Sequence, residues 1–189
     1  GNVFMAIASD GATYRSTDAI SWSRGGSMTG GTLPDAAYKA NIAWGQPGST
    51  GIWVVTGKDN GSIWTSSNNG TTWTLAEASG RGLKKLAYGG GHFLVGYEDP
   101  LTFRTSTNGL NWEDAGQIQG FPANGEGRMA FGNNTFVIPM AYSDSVCRVS
   151  TLSWSLPLDF NCTASHSSGG GYMYWQQISY GRGIFVGPL

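Results

Sequence analysis

Ser66-Ser67-Asn68-Asn69-Gly70-Thr71-Thr72-Trp73 reads as a tight hairpin closed by an indole, and it recurs. Ser16-Thr17-Asp18-Ala19-Ile20-Ser21-Trp22 and Ser106-Thr107-Asn108-Gly109-Leu110-Asn111-Trp112 repeat it one residue shorter. Ser150-Thr151-Leu152-Ser153-Trp154 is a worn copy that has lost two further residues. The four Trp residues are spaced by 51, 39 and 42 positions. Each residue type has a turn-building role. Ser and Asp or Asn oxygens accept hydrogen bonds from turn amides. Gly70 and Gly109 supply positive φ at the tightest point. The Trp opens the next strand, where its ring covers the turn and its N–H finds an acceptor.

A second motif runs out of phase with the first. Ile42-Ala43-Trp44-Gly45, Leu86-Ala87-Tyr88-Gly89, Met129-Ala130-Phe131-Gly132 and Ile178-Ser179-Tyr180-Gly181 share one pattern. Each precedes a short strand led by an aromatic, at Trp53, Phe93, Phe136 and Phe185; Phe4-Met5-Ala6-Ile7 matches that second strand without its leader. Two motifs with one period of roughly 40 residues mark a repeat architecture. Each period holds four strand-length apolar runs; in the third they are Leu83–Tyr88, His92–Tyr97, Leu101–Ser106 and Leu110–Glu113. Four strands per period of about 40 to 45 residues predict an all-β fold, a β-propeller of about four to five blades. The repeats divide the chain at about 1–40, 41–82, 83–125 and 126–175, with a partial unit at 176–189.

Composition narrows the function classes. The 189 residues include 30 Gly and 24 aromatics but only 23 charged side chains, and the formal net charge is -1. So many rings argue against disorder, and the lack of a basic excess argues against nucleic-acid binding. No stretch approaches the ~20 apolar residues of a membrane helix, and no basic-then-apolar start reads as a signal peptide.

The run Ser66-x-Asn68-x-Gly70-x-Thr72-Trp73 resembles the Asp box, the repeat of sialidases and other Asp-box propellers, with Asn in place of Asp. Ser16, Asp18 and Trp22, and Ser106, Asn108, Gly109 and Trp112, match a shorter variant, and Ser150 and Trp154 match weakly. The resemblance covers nearly the whole chain as blades. It implies that the boxes sit at the outer rim, away from the ligand face.

The sequence starts and stops at a second strand and lacks an initiator Met. It reads as a processed chain, as part of a larger ring, or as a ring closed when the C-terminal strand completes the N-terminal blade. In a propeller the loops between second and third strands share one face with the blade linkers. Asp10, Asp59, Asp99 and Asp144 occupy those loops. They read either as turn caps or as an acidic ring that binds a hard cation such as calcium or sugar hydroxyls. In the linker 165–177, Tyr172, Tyr174 and Trp175 follow three glycines and read as a sugar-stacking or protein-contact patch, or as packing between blades.

Sialidase chemistry needs an Arg triad, a Tyr nucleophile with a Glu partner, and an Asp acid/base. Of the seven Arg, Arg104 and Arg148 share a repeat position with Tyr14 and Trp64, which makes them blade features first. The Arg-Ile-Pro signature is absent. His92, in the variable turn before Phe93, reads as solvated, and His166 lies in a Ser/Gly loop; neither has metal-ligand spacing. The triple-glycine runs lack the Lys of a phosphate loop. Cys147, in a third strand, and Cys162, just after the fourth, are either a disulfide that compensates for the degraded turn or two buried thiols. Four Asn-x-Ser/Thr sequons, at Asn60, Asn69, Asn133 and Asn161, together with the low charge, point to an extracellular, cell-surface or virion setting. The expectation is a non-catalytic recognition or structural module without cofactor, such as a tail-fibre or adhesion protein, that binds surface glycan or a partner protein. The alternatives are a sialidase-like glycosidase fragment and an architectural, self-assembling subunit.

Overall fold

A computed structural model describes residues 3–8, 10–30, 40–57, 61–97, 100–119, 128–140, 145–164 and 178–187. Those residues form seventeen strands in antiparallel sheets and include no helix. Strands β1 (Phe4–Ile7), β2 (Ala12–Ser16) and β3 (Ser23–Ser27) form blade 1. Blade 2 is β4 (Ala40–Gly45), β5 (Ile52–Gly57), β6 (Ser62–Ser66) and β7 (Thr74–Ala78). Blade 3 is β8 (Leu83–Gly89), β9 (His92–Tyr97), β10 (Thr102–Ser106) and β11 (Glu113–Gln117). Blade 4 is β12 (Ala130–Gly132), β13 (Thr135–Pro139), β14 (Ser145–Ser150) and β15 (Asn161–Ala164). The pair β16 (Ser179–Gly181) and β17 (Ile184–Val186) begins a fifth.

The aromatic–glycine motif holds neighbouring blades together. A Cβ on Gly45 would lie 2.3 Å from the Tyr88 ring of the next blade. On Gly89 it would lie 1.9 Å from Phe131, and on Gly132 it would lie 2.1 Å from Tyr180. Each ring therefore lies on the bare backbone of the preceding inner strand, an approach that any side chain would block. Strand alternation then sends successive side chains to opposite seams. Phe93 and Val95 pack towards blade 2 with Val54 and Ile63, while Leu94 packs towards blade 4 with Phe136 and Ile138.

Several expectations need correction. The fourth strand of blade 3 begins at Glu113, not Leu110, because residues 107–112 are consumed by the hairpin. Among the described residues β1–β3 and β16–β17 form separate sheets, so the join of the two chain ends is not seen. The fourth hairpin is not a tight turn: ten residues, 151–160, separate β14 from β15, and Trp154 does not open a strand. Its register has also slipped. Phe93 pairs with Ser106 in blade 3, but in blade 4 Phe136 pairs with Val149. A slip of one residue moves side chains to the other face. The structural counterpart of Arg104 is therefore Cys147, and Arg148 looks the opposite way. Cys162 lies within β15, directly opposite Cys147, and the two form a disulfide with Cα atoms 4.0 Å apart.

Candidate functional site

The Ser–Asx hairpins behave as folding devices. Ser66 Oγ accepts the Gly70 N–H at 2.9 Å and donates to Asn68 Oδ1, which accepts the Thr72 N–H at 2.9 Å. Asn108 Oδ1 accepts from Leu110 and Asn111, both at 2.9 Å. Asp18 Oδ1 accepts from Ile20 at 2.8 Å and Ser21 at 2.7 Å, and the Ser21 and Ile20 amides hold its carboxyl far below the usual carboxylate range. The indoles close the turns: Trp22 donates to Ala19 O, Trp112 to Gly109 O, and Trp73 to Thr13 Oγ1 of the neighbouring blade. Surroundings differ along the stack. Trp112 is 8 % exposed against blade 2, whereas Trp22, with no described blade before it, is 44 % exposed. It borders a cleft of about 330 Å³ with Arg15 and the hydroxyl residues Ser16, Thr17, Ser21 and Ser23.

Of the acidic loop positions, Asp10 is exposed and caps its turn by accepting the Ala12 N–H at 2.9 Å. Asp59, Asp99 and Asp144 lie outside the described residues, as do Tyr172, Tyr174 and Trp175. The described residues bring no group of three or more His, Cys, Asp or Glu together.

A polar cluster that the sequence did not announce sits in the seam of blades 2 and 3. Tyr97 donates to Glu77 Oε1 at 2.7 Å, Arg104 pairs with Glu77 Oε2 and donates to Trp112 O, and the Arg81 guanidinium lies 5.4 Å over the Tyr97 ring. The one available signal was a Glu inside a strand, Thr74–Ala78, whose partner is supplied by another repeat. Tyr97 is 2 % exposed. Burial pushes its phenol well above the ordinary value of 10.0, aided by Glu77 and opposed by Arg104. With the folded value raised, the contribution of neutral Tyr97 is complete below about pH 10 and is lost as pH rises through the folded value. Between about pH 10 and 11, urea unfolding should show wild type losing about 1 kcal/mol relative to Tyr97→Phe. Parallel pH profiles for the two proteins would rule this out.

His92 is not a solvated turn residue. It opens β9 and stacks on Trp154 at 4.1 Å, and burial lowers its pKa against the opposing charge of Glu113. Trp154 thus seals the seam between blades 3 and 4 instead of capping its own turn. The sequence reading also passed over a pocket on blade 4 that includes Arg148 and Asp159.

No protein-family model matches the chain, and no curated protein matches it in sequence. Solved structures do match. An ancestral GH74 enzyme aligns with 80 % of this chain at 17 % identity and TM-score 0.55, and this chain spans 21 % of that enzyme. A chain of a nidogen/laminin complex aligns with 97 % at 13 % identity and TM-score 0.63, over 70 % of its own length. YCF48 from Cyanidioschyzon merolae aligns with 86 % at 15 % identity and TM-score 0.55, over 56 % of its length. At such identities these likenesses speak to the fold alone, and together with the four-stranded sheets they make this chain a β-propeller.

Proposed function

We propose that this propeller is a non-catalytic recognition module of the Asp-box type, working without a cofactor in an extracellular, cell-surface or virion setting, and binding surface glycan or a partner protein. The observation that carries the reading is the propeller fold, shared with a chain of a nidogen/laminin complex, and one ring-bearing face of blade 1 is open among the described residues. Phe4 is 52 % and Tyr14 36 % exposed, and both stand on the same sheet face because Phe4 pairs with Ser16 and Ala6 with Tyr14. Trp64, the counterpart of Tyr14, is fully buried in blade 2. Open rings beside hydroxyls and a guanidinium suit the apolar face and hydroxyl edge of a sugar, or an anchoring side chain of a protein. The seam cluster supports the non-catalytic part: Tyr97, Glu77 and Arg104 have the residue types of sialidase chemistry, but they are engaged with one another and the phenol is covered.

The test pairs a fluorogenic sialoside assay with binding of sialic acid and plant-type oligosaccharides, and a solution mass. Saccharide binding without turnover is the expected result, weakened by Trp22→Ala or by joint Ala substitution of Tyr172, Tyr174 and Trp175. Sialoside turnover would make the protein a glycosidase. A large assembly that binds no saccharide would make it architectural.

A further inference from the structure

We propose that blade 4 carries a second site, a pocket for a neutral saccharide built from Arg148, Asp159, Asn161 and Ser153. The inference deepens the recognition reading and rests on it, but it concerns other residues than those of that reading. The pocket encloses about 320 Å³, near the lower end of the ~300–1,000 Å³ typical of small-molecule sites, and suits one or two sugar rings. The side chains of Arg148, Asp159, Asn161 and Ser153 make no hydrogen bond or ion pair among the described residues, and Thr135, Ser150, Val149 and Leu158 complete the lining. A carboxylate accepts from two hydroxyls, a guanidinium donates a fork of N–H groups, and an amide does both. Cation and anion share the cavity, so a ligand of net charge would meet repulsion from one of them. This selects a neutral polyol.

The pocket exists because the repeat breaks here. The ten-residue loop 151–160 replaces the tight hairpin and supplies Ser153, Leu158 and Asp159. The register slip sends Arg148 to the face shared with Val137 and Asn161. On that face β16 and β17 pack further in, around Ala130, Val137 and Val146. Arg148 pairs with Asn161 one position from the Cys147–Cys162 disulfide, so the two strands are fixed before any ligand arrives and little ordering entropy is lost on binding.

Saturation-transfer NMR on the intact chain tests this with maltose, cellobiose, lactose and diacetylchitobiose, and with N-acetylneuraminic acid as the acidic probe. At least one neutral disaccharide should show transfer, with affinity reduced about tenfold or more in Arg148→Ala and in Asp159→Asn. Both pocket residues are exposed, so the variants should unfold at the wild-type temperature. Disaccharide binding that both variants retain would remove the pocket and leave the recognition reading standing. No transfer from any neutral disaccharide would also remove the pocket. Binding of N-acetylneuraminic acid through Arg148, strengthened in Asp159→Asn, would overturn the neutral class.

Discussion

Replacing Gly89 by Ala should destabilise the protein by about 3 kcal/mol, and the same change at Gly181 should leave stability within about 0.5 kcal/mol of wild type or slightly raise it. The two glycines hold the same repeat position and neither adopts positive φ, so backbone conformation does not separate them. The neighbours do. A Cβ on Gly89 would fall 1.9, 2.1 and 2.3 Å from three carbons of the Phe131 ring, while one on Gly181 would meet no described atom within 4 Å. Phe131 has little room to withdraw, because its cross-strand partner, fully buried Phe136, meets it at 4.8 Å between centroids. Overpacking of this kind costs ~1–3 kcal/mol, and a ring already packed against Phe136 places Gly89 at the upper end. The opposing term, the smaller entropy of an unfolded Ala chain, is worth only ~0.4–1 kcal/mol. It loses at Gly89 and acts alone at Gly181. Urea unfolding should show the difference at an unchanged m-value, and the thermal midpoint of Gly89→Ala should drop by roughly 6–12 °C. Adding Phe131→Leu should recover at least about 1 kcal/mol, a coupling that a double-mutant cycle isolates. Equal stabilities of the two Ala variants would remove aromatic-on-glycine packing as the force that stacks these blades.

The blades were legible because each repeat spells its own hairpin. Ser66, Asn68 and Gly70 bond within a few residues of one another, so local sequence carries the whole signal. The seams were not legible in the same way. Tyr88 and Gly45 both read as features of a first strand, yet their shared role is a contact between different repeats, and nothing in either motif states the pairing. Glu77 and Arg104 likewise meet from different blades. Trp22 and Trp112 close hairpins of the same length and pattern and have opposite exposure, because the stack, not the motif, decides what covers each ring. Arg148 shares the motif position of Arg104 but not its face, because the five-residue fourth copy conceals a register slip that appears only when β13 and β14 are paired. The candidate site was the least legible part. Asp10 proved to be a turn cap, and the other loop positions lie outside the described residues.

Reducing the Cys147–Cys162 bond should lower stability by about 3 kcal/mol, the value expected for opening a loop of about 15 residues; the two cysteines are separated by 15 positions. Blade 4 depends on the bond more than its sheet suggests. The other described hairpins close through two or more hydrogen bonds from turn amides to Ser and Asx side chains, whereas the fourth keeps only the Leu152 N–H to Ser150 Oγ at 3.2 Å. With the bond open, the four-residue β15 keeps its pairing to β14 and the packing of Phe160 on Phe103 at 4.7 Å, a small anchor for a strand reached by a ten-residue loop. The loss should therefore be local before it is global. In hydrogen exchange, dithiothreitol should speed the amides of β15 and of 151–160 and leave those of β9 and β10 near their oxidised rates. Cys147→Ala with Cys162→Ala should lose somewhat more stability than reduction alone, since Cys147 is fully buried and its truncation leaves a void beside Ile138 and Val149. A reduced protein within about 1 kcal/mol of the oxidised one would mean that the seam residues Trp154 and Phe160 hold the outer strand by themselves. A uniform acceleration of exchange across all blades would mean that the propeller opens as a single unit and that the bond restrains the whole unfolded chain, not one strand.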